Sequence, residues 1–149
     1  MFRGVATLNL DNKNRLAVPA KYRDFLTHHA AGKLVITAEP SGCLLIYPYP
    51  DWEPIQEKLM SLPSFNRQAR ALQRLIVGYA EDVEIDGAGR VLISNSLREF
   101  AGLNKRVVLV GQGKKFELWN EEKWQAQRDI ALALPEERDL PPEMENFSL

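Results

Sequence analysis

The segment Leu10 to Phe25, LDNKNRLAVPAKYRDF, is written again as Ile85 to Phe100, IDGAGRVLISNSLREF. Asp11 and Asp86, Arg15 and Arg90, Arg23 and Arg98, and Phe25 and Phe100 recur at a constant spacing of 75 residues. Leu10/Ile85, Leu16/Val91, Val18/Ile93 and Asp24/Glu99 are conservative pairs between them. An internal repeat constrains topology more than any local propensity, because each copy must adopt the same supersecondary unit. The echo continues as Leu34-Val35-Ile36 against Val107-Val108-Leu109, then Cys43–Tyr47 against Lys115–Trp119, and Trp52 against Trp124. The register slips by three there, as a shorter loop between equivalent strands requires. Each half is expected to be one βαβ-type module.

At 149 residues the repeat predicts two small units of roughly 50 to 70 residues, neither with a generous core of its own. Such units expose strand edges and tend to find partners, either the other half of the chain or another subunit, so a homo-oligomer is expected. The single cysteine, Cys43, lies in the apolar run CLLIYPY and reads as a buried core thiol. The N-terminus lacks the apolar stretch of a signal peptide, and nothing approaches a membrane span; a cytoplasmic protein is expected.

Along the chain, Gly4 to Leu10 alternates as a strand, Asp11–Asn14 is a turn and Leu16–Val18 a return strand. Pro19 opens a helix that stops near Gly32. Strands over Leu34–Thr37 and Leu44–Tyr47 follow, then a helix capped by Asp51 and another over Asn66–Val77. On the latter, Arg67, Arg70 and Arg74 share one face. The second half repeats the plan: strands at Val83–Asp86 and Val91–Ile93, a helix capped at Ser94 or Asn95 and stopped at Gly102, and a hairpin turning through Gly111-Gln112-Gly113. Asn120 caps a last helix that ends before Pro135.

Enzyme chemistry finds little footing. His28 and His29 are adjacent, about 100° apart around a helix, and do not form an i, i+4 metal pair. GQGKK lacks the phosphate-loop spacing and sits between strands. No nucleophile–base pairing, metal site, cofactor site or small-molecule substrate site suggests itself. What recurs is Asp-x-x-x-Arg. The aspartate can accept backbone N–H bonds and order the turn, with Gly87 and Gly89 helping in the second copy. The arginine then leaves the return strand in a fixed direction, and its planar fork suits phosphate or the O6/N7 edge of guanine. Repeated in an oligomer, such arginines would form an array on a polyanion. Taken by itself, the motif is equally an intramolecular ion pair that stiffens the turn.

Charge favours the anion-binding reading. The net charge of −1 divides into −4 on residues 135–149 and +3 on residues 1–134. Residues 1–25 alone carry five bases, Arg3, Lys13, Arg15, Lys21 and Arg23, against Asp11 and Asp24. The acidic, proline-bearing 135–149 segment reads as a solvated extension.

The stretches MFRG, LDNKNRLAVPAKYR, GYAEDVEIDGAGRVLIS and LVGQGKKFELW together resemble the SpoVT/AbrB-like family of swapped-hairpin β-barrel DNA-binding modules, over Met1 to about Trp124. The resemblance implies an α+β chain of two tandem modules, each followed by helices, assembled into a ring-shaped homo-oligomer. It also implies a regulator, typically a repressor, that binds short direct repeats in the promoter of its own division and cell-wall gene cluster, in the cytoplasm and on the nucleoid. The family's motifs fall on Asp11/Arg15 and Asp86/Arg90, and its motif base on Lys13. Asn14 departs from the family's usual glycine, and asparagine is the best non-glycine residue for positive φ.

The expected organisation is module 1 over residues 1–53, a helical linker over 54–78, module 2 over 79–124, and a helix end with acidic tail over 125–149. Arg15 and Lys13, with Arg90, Arg3 and Lys21 in support, are expected to contact double-stranded DNA; Asp11, Asp86, Gly87 and Gly89 order the turns. A ring scaffold that binds protein partners, without DNA specificity, is the alternative.

Overall fold

A computed structural model describes residues 1–134, 141–144 and 146–148. The first repeat gives β1 (Phe2–Asn9), β2 (Arg15–Ala17), α1 (Ala20–Ala30), β3 (Lys33–Glu39), β4 (Cys43–Pro48) and α2 (Tyr49–Met60). A connecting helix, α3 (Arg67–Leu72), runs into a π turn over Gln73–Val77. The second repeat gives β5 (Glu81–Glu84), β6 (Arg90–Leu92), α4 (Asn95–Ala101), β7 (Arg106–Gly113), β8 (Lys115–Asn120) and α5 (Glu121–Ala133). Most expected segments appear within a residue or two of their predicted ends.

The halves are not βαβ units. Every ladder is antiparallel, and each half reads ββαββα. Six strands form one sheet in the order β1-β7-β8-β4-β3-β5, and β2 pairs with β6 in a second, two-stranded sheet. The first strand of each repeat therefore lies against the third strand of the other: β1 on β7, β5 on β3. β4 pairs with β8, its own repeat equivalent, as β2 does with β6. The two repeats interleave about a pseudo-two-fold axis instead of building separate sheets. The bonds Leu10 N–H to Lys105 O (2.7 Å) and Ile85 N–H to Gly32 O (2.9 Å) carry the exchange past the strand ends.

Burial explains the exchange. The main core is one cluster drawn from both repeats: Leu16 and Val91, Val18 and Ile93, Leu34 and Val107, Ile36 and Leu109, and Ile46 and Leu118 are equivalent inward positions that all belong to it. Half of this cluster would leave one face of every strand wet. The opposite faces are covered separately: α2 sets Trp52 on Val35, Leu45 and Tyr47, while Trp124 of α5 packs against Cys43, Val108, Val110 and Trp119. Strands covered on both sides need continuous apolar runs, which is why Leu34-Val35-Ile36 and Val107-Val108-Leu109 lack the alternation of β1. Cys43 is a core thiol as expected, and burial pushes its ionisation far up.

Some local expectations are corrected. The β7–β8 hairpin turns one residue later than expected, through Gly113-Lys114, with Gln112 opposite Lys115 and Gly113 at φ +79°. Gly111 stays inside β7, facing Gly4. Asp51 does not cap α2, which begins at Tyr49 after Pro48; its carboxylate instead meets His29 Nε2 at 2.7 Å and ties α2 to α1. The π turn interrupts the helix before Arg74, so the stripe of Arg67, Arg70 and Arg74 does not continue on one α-helical face. Asn120 caps its helix as expected, Ser94 takes the cap expected of Ser94 or Asn95, and Asn66, expected as the first helical residue, caps α3 through its side chain. The tail expected over 135–149 lies largely outside the described residues.

The β1–β7 junction gives a stability test. A Cβ on Gly111 would stand 2.4 Å from Arg3 N and 2.6 Å from Arg3 Cα, backbone that cannot move without breaking the ladder. Gly111→Ala is expected to destabilise the protein by about 1–3 kcal/mol in chemical denaturation. Gly87→Ala, where a Cβ meets nothing within 4 Å, is expected to stay within about 0.5 kcal/mol of the parent.

Candidate nucleic-acid interface

The two Asp-x-x-x-Arg turns are the same object built twice. In the first, Asp11 Oδ1 accepts from the backbone N–H of Lys13 and of Arg15, both at 2.9 Å, and Oδ2 accepts from Arg15 Nε at 2.8 Å. In the second, Asp86 Oδ1 accepts from Ala88 and Arg90 N–H, both at 2.9 Å, and Oδ2 from Arg90 Nε at 3.3 Å. Main-chain bonds close each loop: Asp11 N–H to Arg15 O and Asn14 N–H to Asp11 O, matched by Asp86 N–H to Arg90 O and Gly89 N–H to Asp86 O. The residue before each arginine takes positive φ, Asn14 at 62° and Gly89 at 78°. Asparagine thus does what glycine does in the other copy.

The turns also lock each other. Val18 N–H donates to Gly89 O (2.8 Å) and Ile93 N–H to Asn14 O (3.0 Å), on either side of the Leu16–Val91 register of β2 and β6. Arg23 Nε donates to Val18 O and Arg98 Nε to Ile93 O. The Arg23 guanidinium lies against Gly89 closely enough that a Cβ there would fall 2.3 Å from Nε. Arg98 lines the cleft that holds Asp11, Asn12 and Asn14. The recurring helical arginines are therefore braces laid from each helix across the other repeat's turn.

Alternation along β2 and β6 sends Leu16 and Val91 into the core and leaves Arg15, Ala17, Arg90 and Leu92 outside. Cross-strand pairing puts Arg15 opposite Leu92 and Arg90 opposite Ala17. Each guanidinium is oriented through Nε by its own aspartate, and Arg90 Nη1 also approaches Asp11 Oδ2 at 4.0 Å. Among the described residues, no hydrogen bond occupies the terminal nitrogens of Arg15. One ion pair thus stiffens the turn and still leaves a cationic donor edge facing outward. The two readings that the motif left open do not compete.

The sequence-predicted residues divide. Lys13, Arg15 and Arg90 come together at the ribbon with Asp11, Asp86, Gly87 and Gly89. Arg3 lies at the opposite end of β1 from the Asp11 turn, roughly 20 Å from Asn9 at the rise of a strand. Lys21 sits at the start of α1 over the Tyr22 ring and beside Gly4. Sequence reasoning missed the mutual bracing by Arg23 and Arg98 and the outward Leu92. Period-two alternation from Arg90 could have found Leu92; the bracing depends on long-range pairing that no local pattern carries. The pairing of Glu39, Cys43 and Glu117 is internal: Cys43 and Trp119 already donate to the two carboxylates.

Electrostatics follow from these bonds. The Arg15 backbone N–H, helped by the Arg15 side chain and Lys13 N–H, holds Asp11 below the usual carboxylate range against some desolvation. The Arg90 and Ala88 amides do the same for Asp86. Depressed carboxyl values stabilise the fold above their unfolded pKa of about 3.9, and that contribution is lost as pH falls through the lower folded values. The Asp11→Asn/Asp86→Asn variant is therefore expected to be less stable at neutral pH and to converge on the parent below about pH 4. Denaturation midpoints across pH check this; parallel curves would contradict it.

Fold and site define a pseudo-symmetric chain of two interleaved repeats that presents a paired-arginine β-ribbon. The family model described as "MraZ protein, putative antitoxin-like" matches twice, over residues 1–75 and 76–139. The chain is 63% identical to the transcriptional regulator MraZ of Nitrosospira multiformis and 60% identical to those of Methylobacillus flagellatus and Nitrosomonas eutropha, over the whole of both chains in each case. It belongs to the MraZ family, whose members are transcriptional regulators and not enzymes. Among the described residues, no helix is long and apolar enough to cross a membrane.

Proposed function

We propose that the chain is a sequence-specific regulator that binds double-stranded DNA through the β2–β6 ribbon. The observation that carries this reading is the pair of outward arginines, each aimed by its own aspartate and set on strands that lock each other. A two-stranded ribbon fits the B-DNA major groove, about 12 Å wide, and an arginine fork suits the guanine edge there. Lys13, exposed at the tip of the first turn, suits a phosphate. The mildly basic folded part supports the same reading.

One ribbon per chain gives few contacts. A ring of subunits would present several ribbons at fixed spacing and add weak contacts along short direct repeats. Family resemblance supports such a ring, repression as the outcome, the promoter of the chain's own division and cell-wall cluster as the target, and a cytoplasmic, nucleoid-associated protein. Arg3 and Lys21, set back along β1 and α1, serve as outlying phosphate contacts at most.

Fluorescence anisotropy with the duplex upstream of this protein's own gene, against a scrambled duplex, across a salt series tests the proposal. The native duplex is expected to bind more tightly, with log K falling linearly against log salt. Arg15→Ala is expected to weaken binding roughly ten- to hundredfold and Arg90→Ala somewhat less. Lys13→Ala is expected to weaken both duplexes alike and reduce the salt slope by about one. An unchanged affinity in Arg15→Ala would reduce Arg15 to a turn stiffener. Absence of any DNA affinity in folded, oligomeric protein would favour a protein-binding scaffold.

A further inference from the structure

The ribbon is two-fold in its backbone but not in its chemistry. Arg15 matches Arg90 and Leu16 matches Val91, yet the third position is Ala17 in one copy and Leu92 in the other. Leu92 is 56% exposed although its neighbours Val91 and Ile93 are buried. Single exposed leucines are ordinary on protein surfaces. This one stands directly opposite Arg15, on the face that carries both arginines. Residues opposite each other in an antiparallel pair have Cβ atoms about 5 Å apart, a separation of one or two base-pair steps.

Within the major groove the one apolar group on a base edge is the C5-methyl of thymine. Resting on the DNA-binding reading above, we infer that Leu92 is a specificity-determining residue that packs on a thymine methyl one or two steps from the base contacted by Arg15. Ala17, opposite Arg90, ends at its Cβ and offers far less apolar reach than Leu92. The pseudo-two-fold ribbon therefore reads a site with a direction: a long apolar side chain beside one arginine and a short one beside the other. A symmetric head would suit a palindrome; this one suits a non-palindromic element met in a single orientation.

Deoxyuridine differs from thymidine only in that methyl, so it isolates the contact. Thymines of the native upstream duplex are replaced one at a time by deoxyuridine, and anisotropy is measured with the parent chain, Leu92→Ala and Leu92→Met. The parent is expected to lose roughly fourfold at one thymine, the worth of about one methyl group removed from water. Leu92→Ala should bind the unmodified duplex as weakly as the parent binds that substituted one, and should lose nothing further from the substitution. Leu92→Met should keep the sensitivity. Tolerance of deoxyuridine at every position by the parent, or undiminished sensitivity in Leu92→Ala, would overturn the assignment of Leu92 while leaving DNA binding intact. Failure of the parent to prefer the native duplex at all would overturn the DNA-binding reading, and Leu92 with it.

Discussion

Everything in this molecule depends on the exchange of strands between its two repeats. β1 completes its hydrogen bonding on β7, and β5 completes its own on β3, so neither repeat closes a sheet by itself. The inward residues of both copies then share a single core. A unit of this length buries too little apolar surface alone, and strand edges left open invite other partners. Interleaving answers both constraints within one chain. The same arithmetic of small cores and open edges explains why a duplicated half could persist only with its twin.

The site inherits its geometry from that exchange. β2 and β6 are three residues each, far too short to be stable as an isolated pair. They hold because Leu16 and Val91 are anchored in the core and because each turn accepts an N–H from the strand end of the other repeat. Asp11 and Asp86 then fix the loop amides and the Nε of their arginines in one step. Arginine loses rotamer freedom on binding a partner, and orienting it beforehand lowers that cost. A loop that is rigid for structural reasons would thereby also be prepared for the DNA contact proposed above.

Much of this was legible in the chain itself. The 75-residue period, the Asp-x-x-x-Arg turns, the positive φ at Asn14 and the caps at Ser94 and Asn120 all follow from local chemistry. The repeat suggested two units whose open edges would meet either the other half of the chain or another subunit, and the strands pair between the two halves. Periodicity reports which residues face a core, never whose strand supplies the other edge. Asp51 looked like a cap by residue type, but prolines at 48 and 50 start α2 earlier and leave the carboxylate to His29. The hairpin drew its expected turn from Gly111, which in fact permits the close backbone approach of β1. Arg23 and Arg98 were visible as repeats, and their role as braces appears only once each helix is laid over the opposite turn.

The central claim is that the two turns act as one surface, held together by exchange and turned toward DNA. Amide hydrogen exchange of the intact protein, with and without the native upstream duplex, tests it most directly. Peptides covering residues 11–17 and 86–92 should gain protection together, while those covering the start of β1 and the Arg67–Arg74 segment change little. Protection confined to one turn, or appearing on the connecting helices and not on the ribbon, would contradict the account.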